Sequence, residues 1–236
     1  MNCIYCYQGV KYDIVKESYM SPEEFCKFFP ENKLYHIVYF GGEPFLSYDY
    51  LIKMTDIIKK KNPLAKFSVV TNGSLITEER VKELNERDIR VTISHDAVSQ
   101  KITRNKVDIL ETNGETISKI KKLGFISTLT KYNYDYFKNW EYFENFRNKY
   151  NIDRPTVTHA GVRDLLNNIS DDLFIYNNKE YEEMLDKVFE QLKNDILSNN
   201  TNSYAFKAFS KIFTRLYYEC MLGQGVTPCY SNESVL

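Results

Sequence analysis

The sequence lacks an excess of charge of either sign, because 31 Lys and Arg residues face 32 Asp and Glu residues and leave a net charge of −1. This balance gives no electrostatic reason to expect binding to nucleic acid or to an anionic membrane surface. No apolar run approaches the ~20 residues that a membrane-spanning helix needs. No signal-peptide pattern precedes the first cysteines, so we expect a cytoplasmic protein without nucleic-acid or membrane partners.

Cysteine and histidine are also scarce. The five cysteines are odd in number and unevenly spread, which is not the pattern of a disulfide framework. The three histidines (His36, His95 and His159) are not spaced as a ligand pair. Free thiols in a reducing compartment, some of them used as metal ligands, agree better with this composition. What the chain has in quantity is core material, since 43% of its 236 residues are hydrophobic and it contains 19 Tyr and 15 Phe.

Short β-rich runs alternate with amphipathic helical patterns over the first two thirds of the chain. The predicted strands recur about every 23 to 36 residues, which is typical of βα units in a parallel sheet; they are Tyr35–Phe40, Phe67–Val70, Ile89–Ile93, Phe125–Thr130 and Thr156–Val162. The predicted helices begin with a capping box at Ser21 and continue with Tyr48–Lys60, Thr77–Glu86 and Thr116–Leu123, the last closed by Gly124 as a C′ residue. Because such crossovers are right-handed, the sheet is expected to curl into a barrel or an open doubly wound form.

The pattern changes after about residue 164. Two long helices, Lys179–Leu197 and Tyr204–Leu222, are predicted around a polar turn at Ser198–Asn202. We therefore divide the chain into an α/β domain at residues 1–165 and a helical segment at residues 166–236.

The first candidate site is Cys3-Ile4-Tyr5-Cys6. Alone, this Cys-x-x-Cys pair is compatible with half a zinc site, with a thioredoxin-like redox pair or with two ligands of an iron–sulfur cluster. A structural zinc site needs four protein ligands, and the other cysteines are distant in sequence. A thioredoxin motif should open a helix after a strand, whereas Tyr7-Gln8-Gly9 is typical of a loop.

The second candidate site is Gly41-Gly42-Glu43-Pro44, which directly follows an apolar strand. Taken alone it is a strand-to-helix turn. Together, the aromatic-flanked cysteine pair and this glycine turn resemble the radical S-adenosylmethionine (radical SAM) enzymes. In that family three cysteines spaced C-x3-C-x2-C hold a 4Fe–4S cluster, and SAM binds its fourth iron. Cys3 and Cys6 match the second and third cysteines; the first would fall two positions before Met1, so we expect the chain to be incomplete there.

The resemblance implies a partial (β/α)6 TIM-like barrel, followed by C-terminal helices, with SAM across the carboxyl ends of the strands. Thr71-Asn72-Gly73 and Ser94-His95-Asp96-Ala97 are similar to further strand ends in the peptide-modifying branch, where the second motif reads Ser-Leu-Asp-Gly and its Ser and Asp bind the SAM ribose. Arg104 falls where that branch has an Arg on the SAM carboxylate. The cofactor-binding residues implied in this way are Tyr5, Gly41, Gly42, Glu43, Thr71, Asn72, Ser94, Asp96 and Arg104. Asn133 matches a further family position without an assigned role. His95 is more simply a pocket-wall or core residue than a catalytic one, and Cys26 is most simply a small buried hydrophobic residue.

The tail contains Cys220 and Cys229. They are either unligated thiols or, as the resemblance implies, metal ligands at the start of a SPASM or twitch extension that holds an auxiliary iron–sulfur cluster. On the second interpretation the natural chain continues beyond Leu236 with more cysteines.

The function implied by the resemblance is reductive cleavage of SAM and hydrogen abstraction from a peptide or protein side chain, with ferredoxin or flavodoxin as the electron donor. One alternative is a catalytically incomplete radical-SAM-like remnant or partner-binding domain without the cluster. A weaker one is a SAM-dependent enzyme with no radical step.

Overall fold

A computed structural model describes residues 3–6, 20–29, 34–104, 106–162, 170, 173–175 and 179–209. Its centre is a sheet of five parallel strands in sequential order. The strands are β1 (His36–Tyr39), β2 (Lys66–Thr71), β3 (Arg90–Ser94), β4 (Leu123–Leu129) and β5 (Thr156–Gly161). All five lie where the alternation of β-rich runs predicts them, which confirms the α/β class with parallel strands.

Helices connect the strands and follow them. They are α1 (Pro22–Phe25), α2 (Tyr48–Lys61), α3 (Glu78–Glu86), α4 (Gln100–Thr103), α5 (Ile109–Ser118), α6 (Tyr136–Tyr150) and α7 (Lys179–Leu197). The capping box at Ser21 is present, with the Ser21 hydroxyl accepting from the Glu24 N–H. Thr77 likewise caps α3 by accepting from the Arg80 N–H. Residues 204–209 are helical; the rest of the predicted Tyr204–Leu222 helix lies outside the described residues.

The predicted helix Thr116–Leu123 is wrong. Helix α5 begins after the Asp108 cap and ends at Ser118. Gly124 is not a C′ residue, because it pairs with Thr92 of β3 and Thr156 of β5 within the sheet. A Cβ at Gly124 would lie 3.3 Å from the Thr156 carbonyl oxygen, so glycine is favoured there by close strand contact rather than by a helix end.

Burial alternates along β1 and β3, so one face of the sheet is packed and the other is more open. The packed face and the helices form one hydrophobic core, in which α7 takes part. Its fully buried large side chains include Phe45, Ile58, Leu84, Ile93, Ile117, Phe125, Phe143 and Leu192. The boundary predicted near residue 165 stays a prediction.

No helix in the described part of the chain is long and apolar enough to cross a membrane.

The sheet places the candidate residues. Because all five strands are parallel, their carboxyl ends meet at one rim. The glycine turn at 41–42 follows β1, Thr71 ends β2 and Ser94 ends β3. The rim is therefore the place where a site could be assembled from segments distant in sequence.

Candidate functional site

The cysteine loop, defined as residues 3–6, lies against the segment that follows β3. The Ile4 N–H donates to the Thr103 carbonyl at 3.0 Å, and Cys3 forms an antiparallel bridge with Arg104. The Cys6 N–H closes a turn onto the Cys3 carbonyl at 3.1 Å. Cys3 and Cys6 are partly exposed free thiols. The loop thus presents both thiols on a short turn that is hydrogen-bonded to the rim.

Tyr5 is the buried residue of the loop. Its ring packs with Leu173 and Val162, and its hydroxyl donates a short hydrogen bond to Oδ2 of Asp96. Burial raises the pKa of the Tyr5 phenol, and the adjacent Asp96 carboxylate raises it further. The hydroxyl therefore stays protonated and acts as a donor at neutral pH.

Asp96 is fully buried and accepts hydrogen bonds from several segments. Its Oδ2 also accepts from the Thr103 hydroxyl at 2.7 Å and from Nε of Arg104 at 2.8 Å. Its Oδ1 accepts from the Thr128 N–H at 2.8 Å. The Asp96 carboxylate therefore joins the cysteine loop, helix α4 and strand β4.

Arg104 is the cation of this cluster and is itself 6% exposed. Burial acts to lower the pKa of its guanidinium, but Asp96, Tyr5 and Cys3 together more than offset that effect, and the pKa lies above its usual value. The guanidinium also stands 5.3 Å from the centre of the Tyr5 ring, within cation–π range. Its Nη1 lies 3.8 Å from the Cys3 sulfur. Burial raises the pKa of the Cys3 thiol, whereas the charge of Arg104 acts to lower it.

The glycine turn after β1 is fastened to β2 through Glu43. Oε1 of Glu43 accepts from the Thr71 hydroxyl at 2.6 Å and from the Phe45 N–H at 3.1 Å, and Oε2 accepts from the Asn72 N–H at 2.8 Å. Gly41 has φ of +156°, and a Cβ built there would meet no described atom within 4 Å. The Glu43 hydrogen bonds therefore fix the turn to β2, while the space beside Gly41 is open. Close approach of a ligand to the backbone requires such open space.

The turn after β3 carries an unusual backbone. Ala97 has φ of +47°, a left-handed conformation that costs a residue with a Cβ of order 1 kcal/mol. Its N–H donates to Nδ1 of His95 at 3.0 Å. Since Nδ1 accepts that hydrogen, the proton of the neutral imidazole is assigned to Nε2, which lies 2.9 Å from Oδ1 of Asp108. The His95 ring is fully buried, as expected for a core residue.

Asp108 completes this second cluster. It caps α5 by accepting from the Leu110 N–H at 2.9 Å, and its Oδ2 accepts from the Tyr142 hydroxyl at 2.5 Å. Burial acts to raise the pKa of Asp108, but the hydrogen bonds from His95, Tyr142 and Leu110 more than offset it and hold the pKa at about 2.

Asn133 has a role that the sequence did not indicate. Its amide nitrogen lies 3.3 Å from the Asp96 carbonyl and 3.2 Å from the Ser127 hydroxyl, while its Oδ1 accepts from the Thr130 N–H at 2.8 Å. It thereby fixes the loop after β4 to the Asp96 turn. Thr103 and Asp108 were also missed, because such contacts depend on the fold and leave no local pattern.

The predicted site residues thus form two hydrogen-bonded groups, one of Glu43, Thr71 and Asn72 and one of Tyr5, Asp96 and Arg104 with Cys3 beside it. Ser94, at the end of β3, pairs in register with Ile126. Cys220 and Cys229 lie outside the described residues. Cys26 is buried in the core beneath α2, as expected.

The described residues fit part of an iron–sulfur site. The two partly exposed thiols of the cysteine loop are the ligand type that such clusters use. Within those same residues, however, no group of three or more His, Cys, Asp or Glu side chains is placed to hold a metal ion. A groove of about 1370 Å³ runs along the edge of β1, lined by Phe28, Val38, Phe40 and Leu46 among others, and contains none of the predicted site residues.

Comparison with known proteins identifies the family and the fold of this chain. Residues 1–150 match the Radical SAM superfamily model. The chain is 26% identical over 176 residues to the radical SAM cyclopropyl synthase TigE of Paramaledivibacter caminithermalis, covering 64% of this chain and 37% of that protein. It is also 28% identical over 100 residues to an uncharacterized protein of Methanocaldococcus jannaschii, covering 42% and 35%.

Solved structures share the fold. Native anSMEcpe with bound AdoMet and the Cp18Cys peptide matches with a TM-score of 0.69 at 20% identity, covering 96% of this chain and 64% of that one. Streptococcus suis SuiB bound to its precursor peptide SuiA matches with a TM-score of 0.54 at 15% identity, covering 82% and 43%. The chain thus spans roughly a third of the curated relatives and up to 64% of these solved chains. Since the family model matches more than half of its residues, the chain belongs to the radical SAM superfamily.

Proposed function

We propose that this chain forms the SAM- and cluster-binding core of an enzyme that modifies a peptide or protein side chain. The observation that carries the proposal is the cysteine loop, which is hydrogen-bonded onto the same rim of the sheet as the glycine turn after β1. The solved relatives that bind AdoMet or a peptide support the substrate class.

In this proposal Cys3 and Cys6 supply two thiolates to a 4Fe–4S cluster. When bound and reduced, the cluster supplies the electron that cleaves SAM to methionine and a 5′-deoxyadenosyl radical, which abstracts hydrogen from the substrate. A small electron donor such as ferredoxin or flavodoxin is the proposed source of that electron. Cys220 and Cys229 are proposed as ligands of an auxiliary cluster.

The protein's own part is to hold SAM over the strand ends. The backbone at Gly41 and Gly42 offers a surface without side chains, and Glu43 keeps that turn tied to Thr71 and Asn72. We place the ribose near Ser94. Asp96 contributes to SAM binding indirectly, by holding the turn after β3 in place. Its carboxylate already accepts hydrogen bonds from Thr103, Arg104 and Thr128. Arg104 provides the positive charge for the SAM carboxylate.

The alternative is a remnant or partner-binding domain that keeps the fold without catalysis. One observation favours it: within the described ranges only two cysteines stand together. The two functions predict different iron contents when a third cysteine thiolate is added next to the cysteine loop.

The test adds a Cys-Ala dipeptide before Met1, which places a cysteine four residues before Cys3, and uses a Ser-Ala dipeptide as the matched control. After anaerobic reconstitution we expect about four irons and four sulfides per Cys-Ala chain, and clearly fewer in the control and in the unextended chain. Equal iron in the Cys-Ala and Ser-Ala chains would contradict the proposed cluster site and support the remnant.

A further inference from the structure

The Asp96 carboxylate is fully buried and already accepts four hydrogen bonds. A carboxylate offers roughly four lone-pair sites. Three donors reach Oδ2, from Tyr5, Thr103 and Arg104, and the Thr128 N–H reaches Oδ1. With the exposure of Asp96 at 0%, an external hydroxyl group could reach this carboxylate only if the packing around it were disturbed.

These donors come from segments that are far apart in sequence. Tyr5 is 91 residues from Asp96 and Thr128 is 32 residues away. The segment from Thr103 to Arg104 also makes the two backbone contacts with the cysteine loop, at Ile4 and Cys3. The described contacts of the loop with the rim therefore converge on Asp96 and on the residues that Asp96 holds.

We propose that Asp96 is a positioning residue that fastens the cysteine loop to the rim of the sheet through the Tyr5 hydroxyl and the Arg104 guanidinium. This inference rests on the proposed function in one respect only, which is that the cysteine loop serves to present Cys3 and Cys6. Asp96 acts by fixing where those sulfurs stand and by keeping Arg104 beside Cys3.

A second buried aspartate provides matched controls. Asp108 also accepts from a tyrosine hydroxyl, that of Tyr142, and is 4% exposed, but its described hydrogen bonds do not involve the cysteine loop. Tyr5→Phe and Tyr142→Phe therefore remove the same chemical group from the same kind of hydrogen bond at two places. Asp96→Asn and Asp108→Asn form a second matched pair.

The experiment is amide hydrogen exchange by mass spectrometry on the 236-residue chain in a chelator, so that no sample contains a cluster. The reporters are the Ile4 and Cys6 N–H groups, which are hydrogen-bonded to Thr103 and Cys3. We expect exchange about tenfold faster or more in Tyr5→Phe and in Asp96→Asn, the loss appropriate to one buried hydrogen bond. We expect no change at these amides in Tyr142→Phe or Asp108→Asn.

A conservative pair separates positioning from general destabilisation. Thr103→Val removes a donor to Asp96, and Thr103→Ser keeps the hydroxyl. The valine variant should speed exchange in the loop, and the serine variant should restore wild-type protection. Unchanged loop exchange in Tyr5→Phe, or an equal increase in Tyr142→Phe, would overturn the proposal even if Asp96→Asn fails to fold. Because the measurement needs neither cluster nor SAM, its outcome is independent of the iron-content test above.

Discussion

Two buried aspartates twelve residues apart divide the rim into regions of different character. Asp96 faces a permanent cation, Arg104, and its donors come from the cysteine loop, α4 and β4. Asp108 is neighboured by the imidazole of His95 and by Tyr142 of α6, and it caps a helix. Both are the same residue type with similar burial. The difference in their partners indicates that the Asp96 carboxylate organises the candidate site, whereas the Asp108 carboxylate holds helices against the sheet.

The largest expected effect is the loss of stability when the Asp96 carboxylate is removed. Asp96→Ala leaves the Arg104 guanidinium buried without its counter-ion, and breaking a buried pair from one side costs about 3–5 kcal/mol. Urea unfolding should show this loss in the free energy of unfolding at neutral pH. A loss below about 1 kcal/mol would mean that water reaches Arg104 and that the buried network is not the main constraint.

The next effect concerns pH and belongs to Asp108. Its folded-state pKa of about 2 lies below the reference value of 3.8. A depressed carboxyl pKa stabilises the fold above the unfolded value, so this contribution is lost as pH falls from about 5 toward 2, and it amounts to about 2 kcal/mol. Asp108→Asn should flatten this part of the stability profile. An unchanged profile in that variant would show that other groups carry the acid sensitivity.

A smaller effect is expected at Glu43, the carboxylate of the glycine turn. Glu43→Gln replaces the charged acceptor of the Thr71 hydroxyl and the Asn72 N–H by a neutral amide, and a cost of about 1–2 kcal/mol is expected. Exchange of the Asn72 amide should accelerate while the cysteine loop keeps its protection. If the cysteine loop also loses protection, the two hydrogen-bonded groups of the rim are coupled and are not independent.

The smallest expected effect is a gain. Ala97→Gly relieves the left-handed conformation and should stabilise the protein by about 0.5–1 kcal/mol, less whatever the small buried methyl group contributes. His95→Leu removes the acceptor of the Ala97 N–H, and its cost should be smaller in the Ala97→Gly background. Thermal unfolding of the four chains of this cycle measures both. Additive changes would show that the imidazole does not support this turn.

The sequence was sufficient to locate the strands, because each is a short run rich in apolar and β-branched residues that ends at the rim. It also located the capping box at Ser21, which is a local pattern. It failed at the boundary between α5 and β4, where Gly124 was interpreted as a helix end although its real constraint is the neighbouring strand. A single sequence does not reveal which backbone will stand beside a glycine.

The site was predictable as a set of residues but not as a network. The motifs indicated Tyr5, Asp96 and Arg104 as separate cofactor ligands, whereas the structure places the three in mutual contact. Pairings across 91 residues depend on the closure of the sheet rim and leave no periodic signal. The same holds for Asn133. Its hydrogen bond to Ser127, six residues away, can be understood only when the fold has placed β4 next to the Asp96 turn.

The central claim is that the cysteine loop on this rim holds a cluster that cleaves SAM. The most direct measurement incubates the reconstituted Cys-Ala-extended chain with SAM and a strong reductant and quantifies 5′-deoxyadenosine and methionine. We predict that both products form in equal amounts, that the Ser-Ala control forms neither, and that Cys6→Ala abolishes both in the extended chain. A fully loaded Cys-Ala chain that binds SAM but forms no 5′-deoxyadenosine would contradict the account.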